Sequence, residues 1–374
     1  MNLAFIADLT KNTHLWLINY IWSLFGRSKN LGEGVRKEVI FLMVDHFEPV
    51  WGDGDEIIKL WEAKYPLLAE KHCDSNGVPL QHTWFYPIES YNPVFLERLS
   101  MLCQRGFGEI ELHLHHDNDN EESLRKIVRM GINNLSKHGA LVNGTEAKPR
   151  FAFIHGNWAL NNSKRDGRWC GVNDELRILR EEGCYADFTL PSAPSDTQTK
   201  KINSIYYAKS NPGFKKGHNN GIDVVVGGKE SGDLMIIQGP LTLNWIRRKY
   251  NISPRIENGE ISEKNPGGVD RIKLWENQHI HIKGRPEWIF IKVHCHGGVR
   301  KDIDALLGEK AHEMFSLLES IFRNEDEYRL HYVTARECYN IIKAAEANEE
   351  GDPSEFRNYI IPPPQNRLYT GNRY

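Results

Sequence analysis

Short apolar, β-branched runs alternate with longer amphipathic stretches along the first half of the chain. Within the amphipathic stretches, apolar residues recur every three or four positions, which is the spacing of a helix with one buried face. Regular alternation of strand-like and helical segments is typical of a parallel sheet built from β/α units. The strand-like runs cover residues 38–47, 80–88, 108–117, 150–158 and 185–191, and the helical stretches cover residues 55–72, 92–105, 120–138 and 173–182.

The alternation stops near residue 192. Residues 192–286 are rich in Gly, Asn and Lys and contain only short strand-like runs such as "IDVVVGG" and "DLMIIQGPL". This composition predicts a β-rich insertion and not a separate domain. The β/α pattern returns with the run "EWIFIKVHCHGG" at residues 287–298, and the last predicted helix covers residues 335–347.

These patterns predict an α/β fold in which seven or eight parallel strands form a (β/α) barrel, either closed or incomplete. The barrel would occupy residues 37–347, with the insertion at 192–286 covering one rim. We expect residues 1–36 to form an N-terminal helical segment. Residues 348–374, which include three consecutive prolines, should form an extended C-terminal tail on the surface.

The amino-acid composition and net charge restrict the kinds of molecule that the protein is expected to bind. With 374 residues, of which 40% are hydrophobic, the chain can bury a large core. A formal net charge of −3 and the lack of a concentrated basic stretch argue against nucleic acid as a partner. The six cysteines show no paired spacing, so the sequence predicts neither a disulfide framework nor a zinc knuckle, and a reducing compartment fits best.

The most membrane-like stretch is "LWLINYIWSLF" at residues 15–25. It is about half as long as the roughly 20 residues that a spanning helix needs, so we expect no transmembrane segment. Asp8 before the stretch and Arg27 and Lys29 after it do not fit a secretory signal, which favours a cytoplasmic location. The stretch predicts an amphipathic helix that either packs on the body of the protein or contacts a membrane surface.

Histidine is concentrated at the carboxyl ends of the predicted strands. Eight of the sixteen histidines lie there. Because the carboxyl ends of parallel strands meet at one end of a barrel, we expect these side chains to converge into a ring of ligands. They are His46, His82, His113, His115, His116, His155, His294 and His296.

Strand geometry groups four of these histidines into two pairs. His113 and His115 are two residues apart and should point to the same face of their strand, as should His294 and His296. Imidazole and carboxylate ligands suit zinc, and nickel, iron and manganese accept the same ligands. The alternative for each pair is a hydrogen-bonded polar strand end without a metal.

Seven segments, in order along the chain, resemble the motifs of the polysaccharide deacetylase superfamily, which consists of metal-dependent carbohydrate esterases with an incomplete (β/α) barrel. The resemblance runs over residues 37–345, is interrupted by the insertion, and lies more in motif order than in identity. The segments are "FLMVDHFEP", "HTWFYPIE", "GEIELHLHHDND", "FAFIHGNWAL", "LREEGCYADFTLPS", "WIFIKVHCHGG" and "YVTARECYNII".

This resemblance implies catalytic residues. Asp45 takes the place of the family's base, which would accept a proton from the attacking water. His296 or His294, in the last strand motif, would donate a proton to the leaving nitrogen. Removal of an acetyl group from nitrogen near neutral pH needs both a base and an acid.

The resemblance also implies a divalent metal ion, which we expect to be zinc. His46 replaces the acid that ligates the metal in the family, with Glu48 two residues further on. His113 matches the first ligating histidine of the second motif. The second ligating histidine falls at Asp117, unless His116 takes its place.

The implied substrate is an N-acetylated sugar or a precursor of a surface glycan. Aromatic rings beside the strand ends can stack on sugar rings, although packing in the core is at least as good an explanation for any one of them. The candidate substrate-binding residues at the strand ends are His82, Trp84, His155 and Trp158.

Two other functions remain compatible with these residues. Metal-dependent phosphoesterases and amidohydrolases also gather His and Asp at the ends of barrel strands, often around two or three ions. A catalytically inactive glycan-binding protein that kept the fold and lost the ion would show the same altered motifs. The number of bound metal ions discriminates among the three hypotheses.

Overall fold

The computed structural model describes residues 11–26, 31, 34–49, 53–143, 148–249 and 252–367. It is a mixed α/β structure with a large, mainly parallel sheet, as the sequence predicts. The strands are β1 (Lys37–His46), β2 (His82–Pro87), β3 (Gly108–Leu114), β4 (Val142–Asn143), β5 (Pro149–His155), β6 (Cys184–Asp187), β7 (Ile205–Ala208), β8 (Ile222–Asp223), β9 (Leu234–Ile237), β10 (Thr242–Lys249), β11 (Ser253–Glu257), β12 (Glu260–Ile261), β13 (Trp288–Cys295) and β14 (Tyr328–Tyr332). The α-helices are α1 (Leu17–Gly26), α2 (Gly54–Lys71), α3 (Pro93–Gln104), α4 (Glu121–Ser136), α5 (Glu175–Glu181), α6 (Val269–Asn277), α7 (Ile303–Leu307), α8 (Glu309–Phe322) and α9 (Ala335–Glu346).

Neighbouring strands of the main sheet follow the order β12, β13, β1, β2, β3, β5, β6, β9, β7 and β8. Every pair from β12 to β9 is parallel, while β7 is antiparallel to both β9 and β8. A further strand, β14, pairs in parallel with the first half of β1. Among the described residues, the end strands β12 and β8 do not pair with each other. Closure of the sheet into a barrel therefore stays a prediction.

Successive residues of β1 belong to two different cores. Val39, Phe41 and Met43 pack into the apolar cluster that includes α2, and we call this side of the sheet its outer face. Ile40 and Val44 pack into a second cluster with residues of α9, on the opposite, inner face. Strands that are covered on both faces need apolar residues at consecutive positions, which explains the unbroken apolar run in β1.

Residues 192–286 contribute strands to the main sheet at more than one place. β9 lies beside β6, and β12 lies beside β13, while β10 and β11 pair only with each other. The strands of this segment therefore extend the sheet that the flanking segments form. The exact domain boundaries drawn from the sequence stay a prediction.

The N-terminal helix α1 and the turn before it are attached to the body by one side. Trp16 and Tyr20 are buried in a small apolar cluster with Ala193, Ile202 and Leu241. This contact agrees with the packing alternative for the amphipathic stretch. Within the described part of the chain, each helix is too short or too polar to cross a bilayer.

The inner face of β3 begins with a buried ion-pair network. Glu109 accepts hydrogen bonds from Arg336 Nη2 at 2.8 Å, from Arg367 Nη1 at 2.7 Å and from Thr334 Oγ1 at 3.0 Å. Thr334 and Glu337 form the capping box that starts α9, and a capping box satisfies backbone donors of the first helical turn. The network therefore ties an early strand to the last helix and to the C-terminal tail.

Replacing Glu109 with alanine should lower the free energy of unfolding by about 3–5 kcal/mol, because the buried Arg336 and the partly buried Arg367 would each lose one of their two carboxylate partners. Glu337 is the other partner of both arginines. Urea unfolding of the wild type and Glu109→Ala measures this difference. The control is Arg105→Ala, which removes a pair with Glu70 whose side chains are 51% and 58% exposed. Exposed pairs contribute at most about 1 kcal/mol, so equal effects of the two substitutions would contradict the assigned role of the network.

Candidate functional site

Four histidines converge at the carboxyl ends of β1, β3 and β13 on the inner face. The ring of His46 lies 5.0 Å from that of His113, 5.0 Å from that of His296 and 6.2 Å from that of His294, measured between centroids. The ring of Trp158 lies 5.7 Å from that of His46. We call this group the inner cluster.

Strand register explains why these residues meet. Parallel pairing places Val44 opposite His294 and Asp45 opposite Cys295, so His46 lies level with the residue that follows β13. Alternation puts His46 and His294 on the inner face, which the apolar positions Ile40 and Val44 of β1 also share. The structure therefore brings together His46 and His113, two of the eight histidines that the sequence predicts to converge.

Glu48 completes a possible metal site in the inner cluster. His46, Glu48 and His113 each offer one ligand atom, and these three atoms lie within 4.8 Å of one another. Glu48 Oε1 lies 3.0 Å from Nε2 of His113. Two imidazoles and one carboxylate are a common ligand set for catalytic zinc and for non-haem iron, because they leave coordination positions open.

The surroundings of His46, His113 and Glu48 keep these side chains in the protonation states that bind a cation. Burial lowers the pKa of His46 well below its ordinary value and also lowers the pKa of His113, so both imidazoles are neutral and have a free lone pair. Burial alone would raise the pKa of Glu48, but hydrogen bonds from His113 and His115 lower it below the ordinary value. The buried Nδ1 atoms of His46 and His113 have no hydrogen-bond partner among the described residues. The donor set therefore fits a divalent ion.

His115 lies beside this group and is oriented by a second carboxylate. Its Nδ1 lies 2.6 Å from Glu89 Oε1, and its Nε2 lies 3.3 Å from Glu48 Oε1. Burial lowers the pKa of His115, but hydrogen bonds with Glu48 and Glu89 raise it to about 9. Glu89 is not among the site residues predicted from the sequence, although it lies two residues after the end of β2, at a strand end like those of the histidines.

Asp45 is separated from His46 by the pleat of β1. Its Oδ2 lies 2.9 Å from His82 Nε2, and its Oδ1 accepts a hydrogen bond of 2.6 Å from the backbone N–H of Gly297. Trp61 on α2 donates to the carbonyl of Gly297 at 3.0 Å. The carboxylate thus lies on the outer face, where it holds the turn after β13. This position differs from that expected for a base in the inner cluster, because neighbouring strand residues point to opposite faces.

The close approach at this turn requires a glycine. A Cβ atom added to Gly297 would lie 2.1 Å from Asp45 Oδ2. Any larger residue would force the turn away from the carboxylate and would move the end of β13. Asp45 and His82 are therefore positioning residues for the segment that carries His296.

His116 and Asp117, the other candidate ligands, do not join the inner cluster. His116 is buried beside His155, Cys170 and Glu175. Asp117 accepts a hydrogen bond of 2.6 Å from the backbone N–H of Trp169. Both residues follow the end of β3 at Leu114, so strand alternation no longer directs their side chains toward the inner face.

Of the four candidate substrate-binding residues, Trp158 alone reaches the inner cluster. Trp84 is fully buried on the outer face, where its ring packs 5.8 Å from that of Trp61. His82 and His155 are also buried on that side. The ring of Trp158 is partly exposed and lies 6.0 Å from the ring of His296.

Comparison with known proteins gives distant structural likenesses. No model of a known protein family matches the sequence, and no curated protein matches it. A 4-alpha-glucanotransferase from Thermococcus litoralis is 14% identical, with 79% of this chain and 39% of that chain covered and a TM-score of 0.39. A GH57 branching enzyme from Thermococcus kodakaraensis is 10% identical, with 76% and 68% covered and a TM-score of 0.35. The chain thus spans about two fifths of the glucanotransferase, and these likenesses assign neither family nor activity.

The geometry predicts which substitutions weaken metal binding. His46→Ala and His113→Ala should each lower zinc affinity by at least about tenfold, since the loss of a direct ligand costs no less than the loss of its supporting partner. Competition with a chromophoric chelator measures the affinity. The matched control is Asp45→Asn, which should keep the metal because Asp45 lies on the outer face. Equal loss of metal in Asp45→Asn would contradict the separation of Asp45 from the inner cluster.

Proposed function

We propose that the protein is a metal-dependent hydrolase that removes an acetyl group from an N-acetylated sugar or glycan precursor. The observation that supports this proposal most directly is the ligand set of His46, Glu48 and His113, which faces His296 and Trp158 on one side of the sheet. A hydrolase of this class needs an open metal site, a proton donor and an apolar surface for the sugar ring. The inner cluster offers side chains suited to each of these tasks.

His46, Glu48 and His113 would hold a divalent ion, which when bound lowers the pKa of water and polarises the acetyl carbonyl. His296 is partly exposed and lies next to His46, so it can donate a proton to the leaving nitrogen. His294 is buried behind it and supports the inner wall. The ring of Trp158 beside His296 provides a flat face for a sugar.

The proton acceptor in this proposal is His115 and not Asp45. The Asp45 carboxylate is fully buried on the outer face, where it already forms hydrogen bonds with the backbone N–H of Gly297 and with the ring of His82. Although burial lowers the pKa of His115, the contact with Glu48 contributes to raising it to about 9. With Glu48 engaged by the ion, that contribution would be lost and the charge of the ion would disfavour the imidazolium. The neutral ring, which Glu89 still orients, could then accept a proton. An imidazole oriented by a carboxylate is a common general base in hydrolysis.

Acetate release tests the proposed reaction. The zinc-loaded protein should liberate acetate from N-acetylglucosamine oligomers, and His296→Ala should lower turnover by about 10²- to 10⁴-fold, the range for losing a positioned general acid. Bound zinc should stay nearly unchanged in that variant. The control is His14→Ala, which changes an exposed histidine far from the inner cluster in sequence. Full activity of His296→Ala would remove this residue from the mechanism.

The same assay separates the alternative functions. Release of phosphate from an aryl phosphate, with no acetate from any N-acetylated sugar, would support the phosphoesterase alternative. Glycan binding with neither acetate release nor bound metal at the inner cluster would support the inactive alternative. Either result would contradict the deacetylase proposal.

We also propose that the N-terminal helix contacts an anionic membrane surface. While Trp16 and Tyr20 attach this segment to the body, Trp22 and Phe25 on α1 are 70% and 82% exposed. An amphipathic helix with large exposed aromatic residues is typical of interfacial binding. A substrate carried by a lipid would then be presented to the protein at the membrane.

The hairpin of β10 and β11 adjoins α1 and enlarges this surface. Thr242 Oγ1 and the hydroxyl of Tyr20 lie 3.0 Å apart, and Leu243 packs on the cluster that buries Trp16. Trp245 and Ile246 on this hairpin are exposed. The exposed Arg248 and Arg255 add positive charge, which favours anionic lipid headgroups.

Vesicle sedimentation tests the proposed membrane contact. The full chain should sediment with phosphatidylserine-containing vesicles, and Trp22→Ser/Phe25→Ser should lower the bound fraction at least about tenfold, because apolar burial drives such binding. The matched control is Phe214→Ser, which changes a ring that is 70% exposed elsewhere in the chain. Equal binding of both variants, or equal binding to uncharged vesicles, would contradict the proposal.

A further inference from the structure

A second group of metal-ligating side chains lies on the outer face of the sheet. His116, His155, Cys170 and Glu175 are all buried, and each offers one ligand atom within 4.8 Å of the others. We call this group the outer cluster. It shares no residue with the set formed by His46, Glu48 and His113.

Strand alternation places the outer cluster on the side opposite the inner cluster. Phe151 and Phe153 of β5 pack into the core on the outer face, and His155 is the next residue in that alternation. Ile154 belongs to the core on the inner face. The cluster therefore sits between the end of β5 and the start of α5, which Glu175 begins.

The distances among the four side chains suit coordination by one ion. Glu175 Oε1 lies 3.0 Å from His116 Nε2 and 3.8 Å from His155 Nε2, and Glu175 Oε2 lies 3.5 Å from Cys170 Sγ. Tetrahedral zinc with bonds of about 2.0–2.3 Å separates its ligand atoms by roughly 3.3–3.8 Å. Small rotations of the side chains would bring all four ligand atoms to one centre.

His155 is the observation that points to a bound ligand. Its side chain is fully buried, and neither ring nitrogen has a hydrogen-bond partner among the described residues. An unsatisfied buried polar group costs about 1–3 kcal/mol. Coordination of an ion by Nε2, which lies toward Glu175, would remove this cost for that nitrogen.

The surroundings of the outer cluster resemble those of an established metal site. Nδ1 of His116 lies 3.0 Å from Asp119 Oδ2, which is the carboxylate support that ligating histidines commonly have. Ser123 Oγ in turn donates to Asp119 Oδ1 at 2.6 Å. The contact fixes the ring of His116 with Nε2 directed at the cluster.

Backbone donors surround the sulfur and the carboxylate as well. The N–H groups of Asn162 and Val172 donate to Cys170 Sγ at 3.3 and 3.4 Å, and the N–H of Asn161 donates to Glu175 Oε2. Backbone N–H donors directed at sulfur are a common part of the surroundings of metal-bound cysteines. The same bonds hold the loop between residues 158 and 172 around the cluster.

We infer that the outer cluster binds a zinc-like divalent ion through His116, His155, Cys170 and Glu175. The site is closed, with four protein ligands, so its role is structural. On binding, the Cys170 thiol and Nε2 of His116, which lies against Glu175, would each lose a proton to solvent, and the sulfur and this nitrogen would each form a bond to the ion. This inference does not rest on the proposed function.

The proposed ion would connect three segments behind the inner cluster. His116 follows β3, His155 ends β5 and Glu175 begins α5. The backbone N–H of Trp158 donates to the carbonyl of His155 at 3.0 Å. Metal binding would thus hold the segment that presents Trp158 to the inner cluster.

Cobalt substitution tests the inference, because sulfur bound to Co²⁺ gives a charge-transfer absorption in the near ultraviolet. The inner ligand set contains no sulfur, so this absorption reports on a cysteine site alone. The 374-residue chain loaded with Co²⁺ should show the absorption, and Cys170→Ser should abolish it and lower the bound metal by about one ion per chain. Cys184→Ser and Cys295→Ser, which change other buried cysteines, should leave it intact.

Two further variants distinguish loss of the metal site from misfolding and from failure of the proposed function. His155→Ala retains the thiol and should weaken Co²⁺ affinity at this site by at least about tenfold, so it serves where Cys170→Ser does not fold. His113→Ala should lose acetate release while the absorption persists, which separates this inference from the proposed function. Absence of the absorption in the wild type, its persistence in Cys170→Ser, or unchanged affinity in His155→Ala would overturn the inference.

Discussion

The alternation of side chains along the parallel strands is the constraint on which the other features depend. Because consecutive residues point to opposite faces, Asp45 and His46 leave β1 on different sides of the sheet. The same rule separates His155 from the inner cluster. A shift of one residue in the pairing of β1 with β13 would exchange the two faces and dismantle the inner cluster.

Every second residue of β3 is polar and points to the inner face. These residues are Glu109, Glu111 and His113, and each has different partners. Glu109 is paired with arginine, as described above. Burial raises the pKa of Glu111 to about 8, so its carboxyl is neutral at pH 7 and bonds to Tyr185 and to the N–H of Ala152. His113 lies nearest the carboxyl end of β3 and belongs to the inner cluster. Glu109 and Glu111 therefore leave no unpaired charge inside the sheet, whereas His113 at the strand end can bind a ligand.

The sequence allowed the convergence of His46 and His113 to be predicted, because parallel strands bring their carboxyl ends together. Motif order assigned Asp45 to the same site, although a period of two places it on the opposite face. The placement of His116 could not be predicted, since it lies beyond the end of β3. Cys170 and Glu175 lie in a loop and at a helix start, and no local pattern connects them to a histidine two strands away.

The pairing of Glu109 with Arg336 and Arg367 has a consequence for synthesis of the chain. The carboxylate belongs to an early strand, whereas both guanidinium groups lie in the last part of the described chain. β3 of a nascent polypeptide therefore cannot bury the Glu109 carboxylate against its partners until α9 and the tail have left the ribosome. The sheet therefore cannot complete its packing while the chain is being synthesised. The incomplete sheet stays accessible to chaperones until the C-terminal part has emerged.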